Sequence, residues 1–237
     1  MRKLIIGDIH GCNKTFEALL DKVHFSTFDH LYLLGDYVDR GPDSKGVFDT
    51  IFKLKDEGYQ VTCLRGNHEQ MMLDAFSNDY EDSLAFWMQN GGKQTMDSFY
   101  LKDGKTIPST DENPLQQYLT FCNLLPYCVK VDDLILVHAS LNFKKIDPMK
   151  DMESMMWMRD WYNHIDYDWL ENRTIVHGHT PLSRRKIEIL FDKREELRVI
   201  NLDCGAVFSL KGRQDCYLCC MDWTNEKLYF QEQIDEF

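Results

Sequence analysis

The first third of the chain alternates short apolar runs with longer amphipathic stretches. Residues 3–6, 30–34 and 60–64 form runs of four or five residues, each followed by a turn that contains glycine, and such runs are typical of buried strands. Between them, apolar residues recur at steps of three and four, which predicts one helix capped by Asn13 and a second over residues 43–57. This alternation predicts parallel β-α-β units with right-handed crossovers.

The middle of the chain is predicted to be mostly helical. The pattern predicts helices over residues 67–76 and 82–89, with Gly91-Gly92 ending the second. Residues 101–113 are polar, so we expect a surface loop there. Asn113-Pro114 is typical of the cap and first turn of another helix, which runs to residue 125.

The second half has more closely spaced apolar runs. Residues 127–131 and 134–138 flank Asp132-Asp133 and predict a hairpin. A helix is predicted over residues 153–162. Further strands are predicted at residues 174–177, 187–191, 199–202, 216–221 and 228–231, with turns at 192–196 and Asn225-Glu226. A β-α-β half followed by a β-rich half predicts one α/β domain over residues 1–237, with two mixed sheets packed face to face and helices outside.

Composition limits what the chain can do. With 237 residues and 43% hydrophobic content, the chain can bury roughly 75% of its unfolded surface in one core. The net charge of −12 argues against a surface that follows nucleic-acid phosphates. The apolar runs are too short for a membrane span or a signal peptide. The eight scattered cysteines favour reduced thiols in the cytoplasm, and the C-x-x-C spacing at Cys216 favours a strand over a zinc site because no second pair follows.

The most informative stretch is Gly35-Asp36-Tyr37-Val38-Asp39-Arg40-Gly41, which follows the predicted strand at residues 30–34. An acid at the carboxyl end of a strand in an α/β sheet points into the crevice where ligands bind. Since neither can be buried as a bare charge, Asp36 and Asp39 each need a cation or a hydrogen-bond donor. The simplest arrangement has Asp36 bind a metal and Asp39 orient a histidine, which leaves Arg40 to bind an anion.

Five predicted strands end in oxygen or imidazole donors. Each such residue alone is also compatible with a turn, a helix cap or a core residue, whereas the whole set indicates a metal site. The set is Asp8, His10, Asp36, Asn67, His138 and His179. Carboxylate, amide and imidazole ligands without thiolate suit Mn²⁺, Fe²⁺ or Zn²⁺. So many ligands exceed the need of one ion and imply two, with a bridging carboxylate, an arrangement that activates water for in-line displacement at phosphorus.

These motifs support a resemblance to a known family. The chain resembles the phosphoprotein phosphatase family of metallophosphoesterases, and the segment Asp203-Cys204-Gly205-Ala206-Val207-Phe208 is similar to its bacterial and bacteriophage branch. The matching motifs are Gly7-Asp8-Ile9-His10-Gly11, Gly35-Asp36-Tyr37-Val38-Asp39-Arg40-Gly41, Gly66-Asn67-His68-Glu69, Val137-His138-Ala139 and Gly178-His179-Thr180. The resemblance implies a calcineurin-like αββα sandwich with two divalent metal ions, Mn²⁺ first and Fe²⁺ or Zn²⁺ as alternatives.

The resemblance also implies individual roles. The first metal would be held by Asp8, His10 and Asp36, with Asp36 bridging to a second metal held by Asn67, His138 and His179. The general acid for the leaving alkoxide would be His68, paired with Asp39. The phosphate would be bound by Arg40, Arg65 and Arg159. A histidine beside a carboxylate suits proton donation, and arginine forks match phosphoryl oxygens.

Two positions depart from the family pattern. Ser140 stands where the family often has Gly or Asp, which changes the shape of the local pocket. His177 stands where related chains often carry an apolar residue, and we expect it to be a core histidine or one that supports a metal ligand, and not a ligand itself.

Three functions compete. The leading one is a metal-dependent phosphomonoesterase acting on phosphoserine and phosphothreonine in proteins, with phosphotyrosine as a further class. The runner-up is symmetrical dinucleoside tetraphosphate hydrolysis. Those hydrolases tend to lack the acid at the position of Asp39 and to carry Asp at the position of Glu69, so both residues favour the phosphatase. An inactive scaffold would have lost a metal ligand, and none is missing. We therefore expect a phosphoprotein or phosphopeptide partner, no nucleic acid and no membrane.

Overall fold

The computed structural model describes residues 1–77, 80–102, 105–106 and 115–236. The strands in chain order are β1 (Lys3–Ile6), β2 (His30–Leu33), β3 (Gln60–Cys63), β4 (Leu101–Lys102), β5 (Lys105–Thr106), β6 (Cys128–Val131), β7 (Leu134–Val137), β8 (Thr174–His177), β9 (Val199–Asn201), β10 (Tyr217–Asp222) and β11 (Lys227–Glu232). The helices are α1 (Asn13–Lys22), α2 (Ser44–Asp56), α3 (Asn67–Ala75), α4 (Tyr80–Trp87), α5 (Lys93–Tyr100), α6 (Gln116–Leu124), α7 (Met152–Trp157), α8 (Tyr167–Leu170), α9 (Arg184–Asp192) and α10 (Arg194–Leu197).

Two sheets carry the predicted architecture. The first has the order β11-β10-β1-β2-β3, in which β1, β2 and β3 are parallel and the other two strands continue as antiparallel neighbours. The second has the order β6-β7-β8-β9, with an antiparallel β6–β7 hairpin followed by parallel pairs. The predicted β-α-β units and the hairpin are confirmed. In each sheet the parallel strands end at one edge, and the candidate site residues follow those ends.

The sheets face each other across an apolar layer. Ile5 and Cys219 from the first sheet pack in one buried cluster with Leu136 and Val176 from the second. The alternate residue Leu4 points the other way, into a cluster that α1 and α2 cover. Since side chains alternate along a strand, each strand supplies both layers, and each fully buried Leu or Ile contributes roughly 1.5–3 kcal/mol. The αββα sandwich is therefore confirmed.

One predicted strand is wrong. Residues 187–191 form part of helix α9, and the charged run at 192–196, predicted to be a turn, lies largely in the short helix α10. Ile187 and Phe191, four residues apart, are both buried, while Ile189 between them is 39% exposed. This spacing places the buried pair on one helical face. The alternation of apolar and polar residues at 187–189 imitates a strand over only three positions.

Helix ends differ from prediction in two places, whereas the predicted break at Gly91-Gly92 is confirmed. Gly91 leaves helical geometry, with φ and ψ of 112° and 9°, and α5 begins directly after the pair at Lys93. The helix predicted over residues 153–162 ends at Trp157. The first N–H groups of α1 are capped by the distant carboxylate of Asp235, so the prediction of an Asn13 cap is wrong.

Three further predictions concern one segment, membrane spans and the cysteines. The proposed loop at 101–113 lies mostly outside the described residues, and the Asn113-Pro114 cap lies wholly outside them. No helix in the described ranges combines the length and apolar character needed to cross a bilayer. All eight cysteines are free thiols, and Cys216 immediately precedes β10, as its strand interpretation predicted.

Candidate active site

The six predicted metal ligands converge at the facing edges of the two sheets, and all are buried. Those from the first sheet follow β1, β2 and β3, and those from the second follow β7 and β8. The backbone turns sharply at three of them, with φ values of 47° at His10, 54° at Asp36 and 68° at His179. Left-handed backbone is uncommon for residues other than glycine and concentrates at functional sites.

One group of donors surrounds the amide oxygen of Asn67. Its Oδ1 lies 3.0 Å from Nε2 of His138 and 2.9 Å from Nδ1 of His179. The two ring nitrogens are 3.2 Å apart, and His138 Nε2 is also 3.4 Å from a carboxylate oxygen of Asp36. The other nitrogen of His138 faces the Leu34 carbonyl at 3.0 Å. That carbonyl requires the proton on Nδ1, so Nε2 presents a lone pair to the group.

A second group contains His10 and Asp36. Nε2 of His10 is 3.4 Å from Asp36 Oδ2, and its Nδ1 lies 2.9 Å from the Val38 carbonyl. The same tautomer argument leaves Nε2 of His10 as the acceptor. His10, Asp36 and His68 each offer an atom within 4.8 Å of the others, as do Asp36, His138 and His179. Asp36 thus belongs to both groups, as the predicted bridging ligand must.

Asp8 lies beside these groups and is held by backbone. Both of its oxygens are 3.1 Å from the His179 N–H, which donates to them. A Cβ on Gly178 would stand 2.1 Å from Asp8 Oδ1, so only glycine allows this approach. Burial, and then the charges of Asp203 and Asp36, raise the pKa of Asp8 well above its ordinary value.

The predicted histidine–acid pair is formed. Nδ1 of His68 donates to Oδ2 of Asp39 at 2.6 Å, and both side chains are buried. Nε2 of His68 points toward Asp36, 4.0 Å from Oδ2. His68 therefore turns one nitrogen to its carboxylate and the other to the cluster.

The three predicted arginines lie in different settings. Arg40 donates from Nη1 to His10 Nε2 at 2.7 Å, so its guanidinium is at the cluster. Arg159 is exposed just after α7 and donates to the Thr180 hydroxyl at 3.0 Å, beside His179. Arg65 is directed elsewhere: its guanidinium donates to Gln70, the hydroxyl of Tyr127 and the carbonyl of Asn123.

Sequence reasoning missed several residues of the site. Asp203 is buried near Asp8 and Asp36, and burial, with Asp36 adding to it, raises the pKa of Asp203 to about 7. Trp87 and Thr95 contact Asp39. An acid directly after the apolar run at 199–202 was the available signal for Asp203, by the same rule that selected Asp36. No local pattern marks Trp87 or Thr95.

The two departures from the family pattern have structural roles. Ser140 donates to the Ser154 carbonyl at 2.7 Å, which ties the segment after β7 to α7. His177 is buried, accepts from the Tyr162 hydroxyl at 2.7 Å and packs edge-on against Trp161. Burial lowers the pKa of His177 to about 3, so it is a neutral core histidine.

The residues present fit divalent metal ions. Among the residues that the structure describes, Nε2 of His179 has no hydrogen-bond partner although it is buried, while Nδ1 of the same ring faces Asn67 and His138. A buried nitrogen of this kind is costly unless another ligand satisfies it. Burial lowers the pKa values of His10, His138 and His179, so these rings are neutral and able to ligate. Asp8, Asp36 and Asp203 place several carboxylates in one pocket. Neutral imidazoles and crowded carboxylates are the donors that such ions require.

Comparison with known proteins agrees with this geometry. A family model described as calcineurin-like phosphoesterase matches residues 1–208. Serine/threonine-protein phosphatase 1 of Salmonella typhimurium is 30% identical over 223 residues, 86% of each chain. A symmetrical bis(5'-nucleosyl)-tetraphosphatase of Nitrosomonas europaea is 30% identical over 142 residues, which span 60% of this chain and 45% of that protein.

A solved structure shares the fold. The crystal structure of a putative diadenosine tetraphosphatase has a TM-score of 0.64 and 20% identity, covering 100% of this chain and 94% of the other. The resemblance stated from the motifs is confirmed at the level of the family. The family match and the Salmonella relative together show that this chain belongs to the calcineurin-like phosphoesterases.

Proposed function

We propose that the protein removes phosphate from phosphoserine and phosphothreonine in proteins, using two divalent metal ions. The observation that carries the proposal is the buried His68–Asp39 pair, with a 2.6 Å hydrogen bond, whose free nitrogen faces the ligand cluster. An alkoxide is a poor leaving group unless it receives a proton, and a carboxylate-held imidazole supplies one. The Salmonella relative, a serine/threonine-protein phosphatase, supports the same substrate class.

The metal ligands are proposed as one set. Asp8, His10 and Asp36 would hold the first ion, and Asn67, His138 and His179 the second, with Asp36 shared. When bound, the ions would supply Lewis acidity toward water and toward the phosphoryl oxygens. We propose Mn²⁺, with Fe²⁺ or Zn²⁺ as alternatives of similar ligand preference.

The chain's own residues have distinct tasks in this proposal. His68 holds a proton on Nε2 for the leaving oxygen, and Asp39 holds the ring in place. Arg40, whose Nη1 would turn from His10 Nε2 when that nitrogen holds the ion, and Arg159, at the rim of the cluster, would bind the phosphoryl oxygens with planar N–H donors. Arg65 takes part only if its guanidinium leaves Asn123 and Gln70, so its contribution is proposed as the smallest of the three.

The second candidate is symmetrical dinucleoside tetraphosphate hydrolysis. It is favoured by the Nitrosomonas relative and by the fold shared with the putative diadenosine tetraphosphatase. Asp39 in the second motif and Glu69 in the third support our ranking of the phosphatase ahead of this candidate.

A substrate panel decides between them. Wild-type protein with Mn²⁺ is assayed on phosphoserine, phosphothreonine and phosphotyrosine peptides and on diadenosine tetraphosphate, with the His68→Asn variant as control. We expect higher kcat/KM on the phosphoserine and phosphothreonine peptides and a loss of turnover in the variant. A strong preference for the nucleotide reverses the ranking, and no turnover of either class removes both.

Net charge and cysteines bear on the proposed partner and location. The net charge of −12 argues against nucleic acid, and the proposed reaction makes a phosphoprotein the partner. Eight free cysteines fit a reducing compartment, and we propose the cytoplasm.

A further inference from the structure

The carboxylate of Asp39 is enclosed by hydrogen-bond donors. Its Oδ2 accepts from His68 Nδ1 at 2.6 Å, and its Oδ1 accepts from the Thr95 hydroxyl at 2.6 Å. The indole N–H of Trp87 lies 2.9 and 3.0 Å from the two oxygens. All four side chains are buried. Because donors from three separate residues hold its two oxygens, the plane of the carboxylate is fixed, although this side-chain torsion is otherwise broad.

The segment that carries Trp87 and Thr95 also contacts the backbone of Asp39 and Arg40. Trp87 ends α4 and Thr95 lies in α5, on either side of the π turn at Met88–Gly92. Asp39 N–H donates to the Thr95 hydroxyl oxygen at 2.9 Å, and Arg40 N–H donates to the Gly91 carbonyl at 3.3 Å. A Cβ on Gly91 would stand 2.7 Å from the Arg40 nitrogen, so this glycine permits the contact.

The held loop has an unfavourable backbone conformation. Asp39 and Arg40 have φ values of 73° and 70°, a region that residues other than glycine seldom adopt. Two such residues in succession persist only when their surroundings determine them. Trp87, Gly91 and Thr95 supply part of those surroundings through contacts to both the backbone and the carboxylate, and the Ser44 hydroxyl of α2 accepts from the Asp39 N–H at 3.1 Å.

From this geometry, and resting on the proposed function, we propose that Trp87 and Thr95 are positioning residues for proton transfer. Through Asp39 they fix the ring of His68, so that Nε2 points at the leaving oxygen of the phosphoester. Neither side chain touches the substrate in this proposal. Without either donor, Asp39 turns more freely and the ring of His68 follows it.

The step that they serve is the departure of the alcohol. As the P–O bond breaks, its electron pair stays on the leaving oxygen, which takes the proton from His68 Nε2. The water oxygen forms the new bond to phosphorus and gives up a proton, which restores His68 through solvent. A misaligned ring therefore slows leaving groups that need the proton and spares those that depart as anions.

The test compares substrates whose leaving groups depend to different degrees on protonation. Wild type, Trp87→Phe and Thr95→Val are assayed with Mn²⁺ on a phosphoserine peptide, phenyl phosphate and p-nitrophenyl phosphate, whose nitrophenolate leaves without protonation. We expect kcat on the peptide to fall about 10-fold or more. The loss should not exceed the roughly 10²–10⁴-fold that a general acid–base group contributes in full. We expect an intermediate loss on phenyl phosphate, less than about 2-fold loss on p-nitrophenyl phosphate, and unchanged KM.

Two controls match the changes. Thr95→Ser keeps the hydroxyl and should retain the wild-type ratio of the three rates. Trp223→Phe removes another indole N–H that donates to an aspartate, Asp133 at 3.2 Å, and should leave the ratio unchanged. If Trp87→Phe does not fold, the comparison of Thr95→Val with Thr95→Ser decides alone.

The outcomes separate the two proposals. An equal loss on all three substrates, or an unchanged ratio, overturns the positioning role, because a merely structural defect slows every substrate alike. If wild type does not cleave the phosphopeptide, the proposed function fails. In that case the ratio of phenyl to p-nitrophenyl phosphate turnover still decides whether Trp87 and Thr95 position the acid.

Discussion

Replacing Glu69 by Gln should destabilise the fold and weaken the candidate metal site together. Glu69 is fully buried, and within the described part of the chain its carboxylate accepts from backbone N–H groups. Oε2 accepts from Asp36 at 2.8 Å and from Gly66 at 2.9 Å, and Oε1 accepts from Tyr37 at 2.7 Å and from Val38 at 3.4 Å. These bonds hold the turn that carries Asp36. A glutamine must present its NH₂ group to at least one of these donors.

The expected cost follows from the bonds lost. A hydrogen bond to a charged group contributes roughly 1.5–3 kcal/mol, and an unpaired buried donor adds roughly 1–3 kcal/mol. With its NH₂ group at the position of Oε1, glutamine loses the bond to Tyr37 and the longer one to Val38, and it keeps the bonds to Asp36 and Gly66 without the charge. We therefore expect the free energy of unfolding to fall by about 2–4 kcal/mol. For a chain of this size that lowers Tm by about 5–15 °C.

Protonation bears directly on this prediction. Burial, and then the Asp36 charge, raise the pKa of Glu69 above its ordinary value, whereas the hydrogen bonds from the N–H groups of Tyr37, Asp36 and Gly66 oppose that rise. A proton on either oxygen would face a donor and find no acceptor, so we expect the ionised form. If Glu69 were instead a neutral acid, glutamine would imitate it closely.

The assay is thermal unfolding after treatment with a chelator, and again with added Mn²⁺. The control is Glu57→Gln, an exposed residue at the end of α2, for which a change within about 0.5 kcal/mol is expected. Glu69→Gln should show the lower Tm without metal and a smaller rise of Tm on adding Mn²⁺. A Tm within 1 °C of wild type, with a full response to Mn²⁺, would refute the reasoning.

Three further predictions concern the cap, the site and an ion pair. Asp235→Ala removes the acceptor at the start of α1 and should cost about 1–2 kcal/mol of stability by urea unfolding; an unchanged midpoint contradicts this. Gly178→Ala places a methyl group 2.1 Å from Asp8, so the variant should fold yet lose most of the Mn²⁺-induced rise in Tm, and a wild-type rise would count against the site. The hydrogen bond from Arg2 lowers the pKa of Asp29, so the pair stabilises the fold at neutral pH, and this contribution is lost as pH falls below about 3.9 through the folded-state pKa. Urea midpoints of wild type and Asp29→Asn should therefore differ at pH 7 and converge in acid, and a constant difference would show that the pair is not responsible.

The site was predictable where its residues follow a short apolar run. Asp36 ends one such run and His138 another, and the rule that parallel strands end at a common edge brings them together. The same rule applied after residues 199–202 would have identified Asp203. Local pattern and shared topology were sufficient for these residues because each carries its own signal in the sequence.

The remaining features depend on contacts between distant residues. Trp87 and Thr95 lie 48 and 56 residues from Asp39, and Asp235 lies 221 residues from the helix N–H that it caps. No local propensity encodes such partners. The misassigned strand at 187–191 has a different cause, since five residues that begin with apolar alternation are too few to separate a period of 2 from one of 3.6.

The central claim is that residues from both sheets form a site for two divalent cations sharing Asp36. It is tested most directly by titrating chelator-treated protein with Mn²⁺ in a calorimeter, for wild type and for Asp36→Asn. We predict that the wild type binds two equivalents of Mn²⁺ per chain and that the variant loses both binding events. Absence of binding by the folded wild-type protein, or two equivalents retained by Asp36→Asn, would contradict the account.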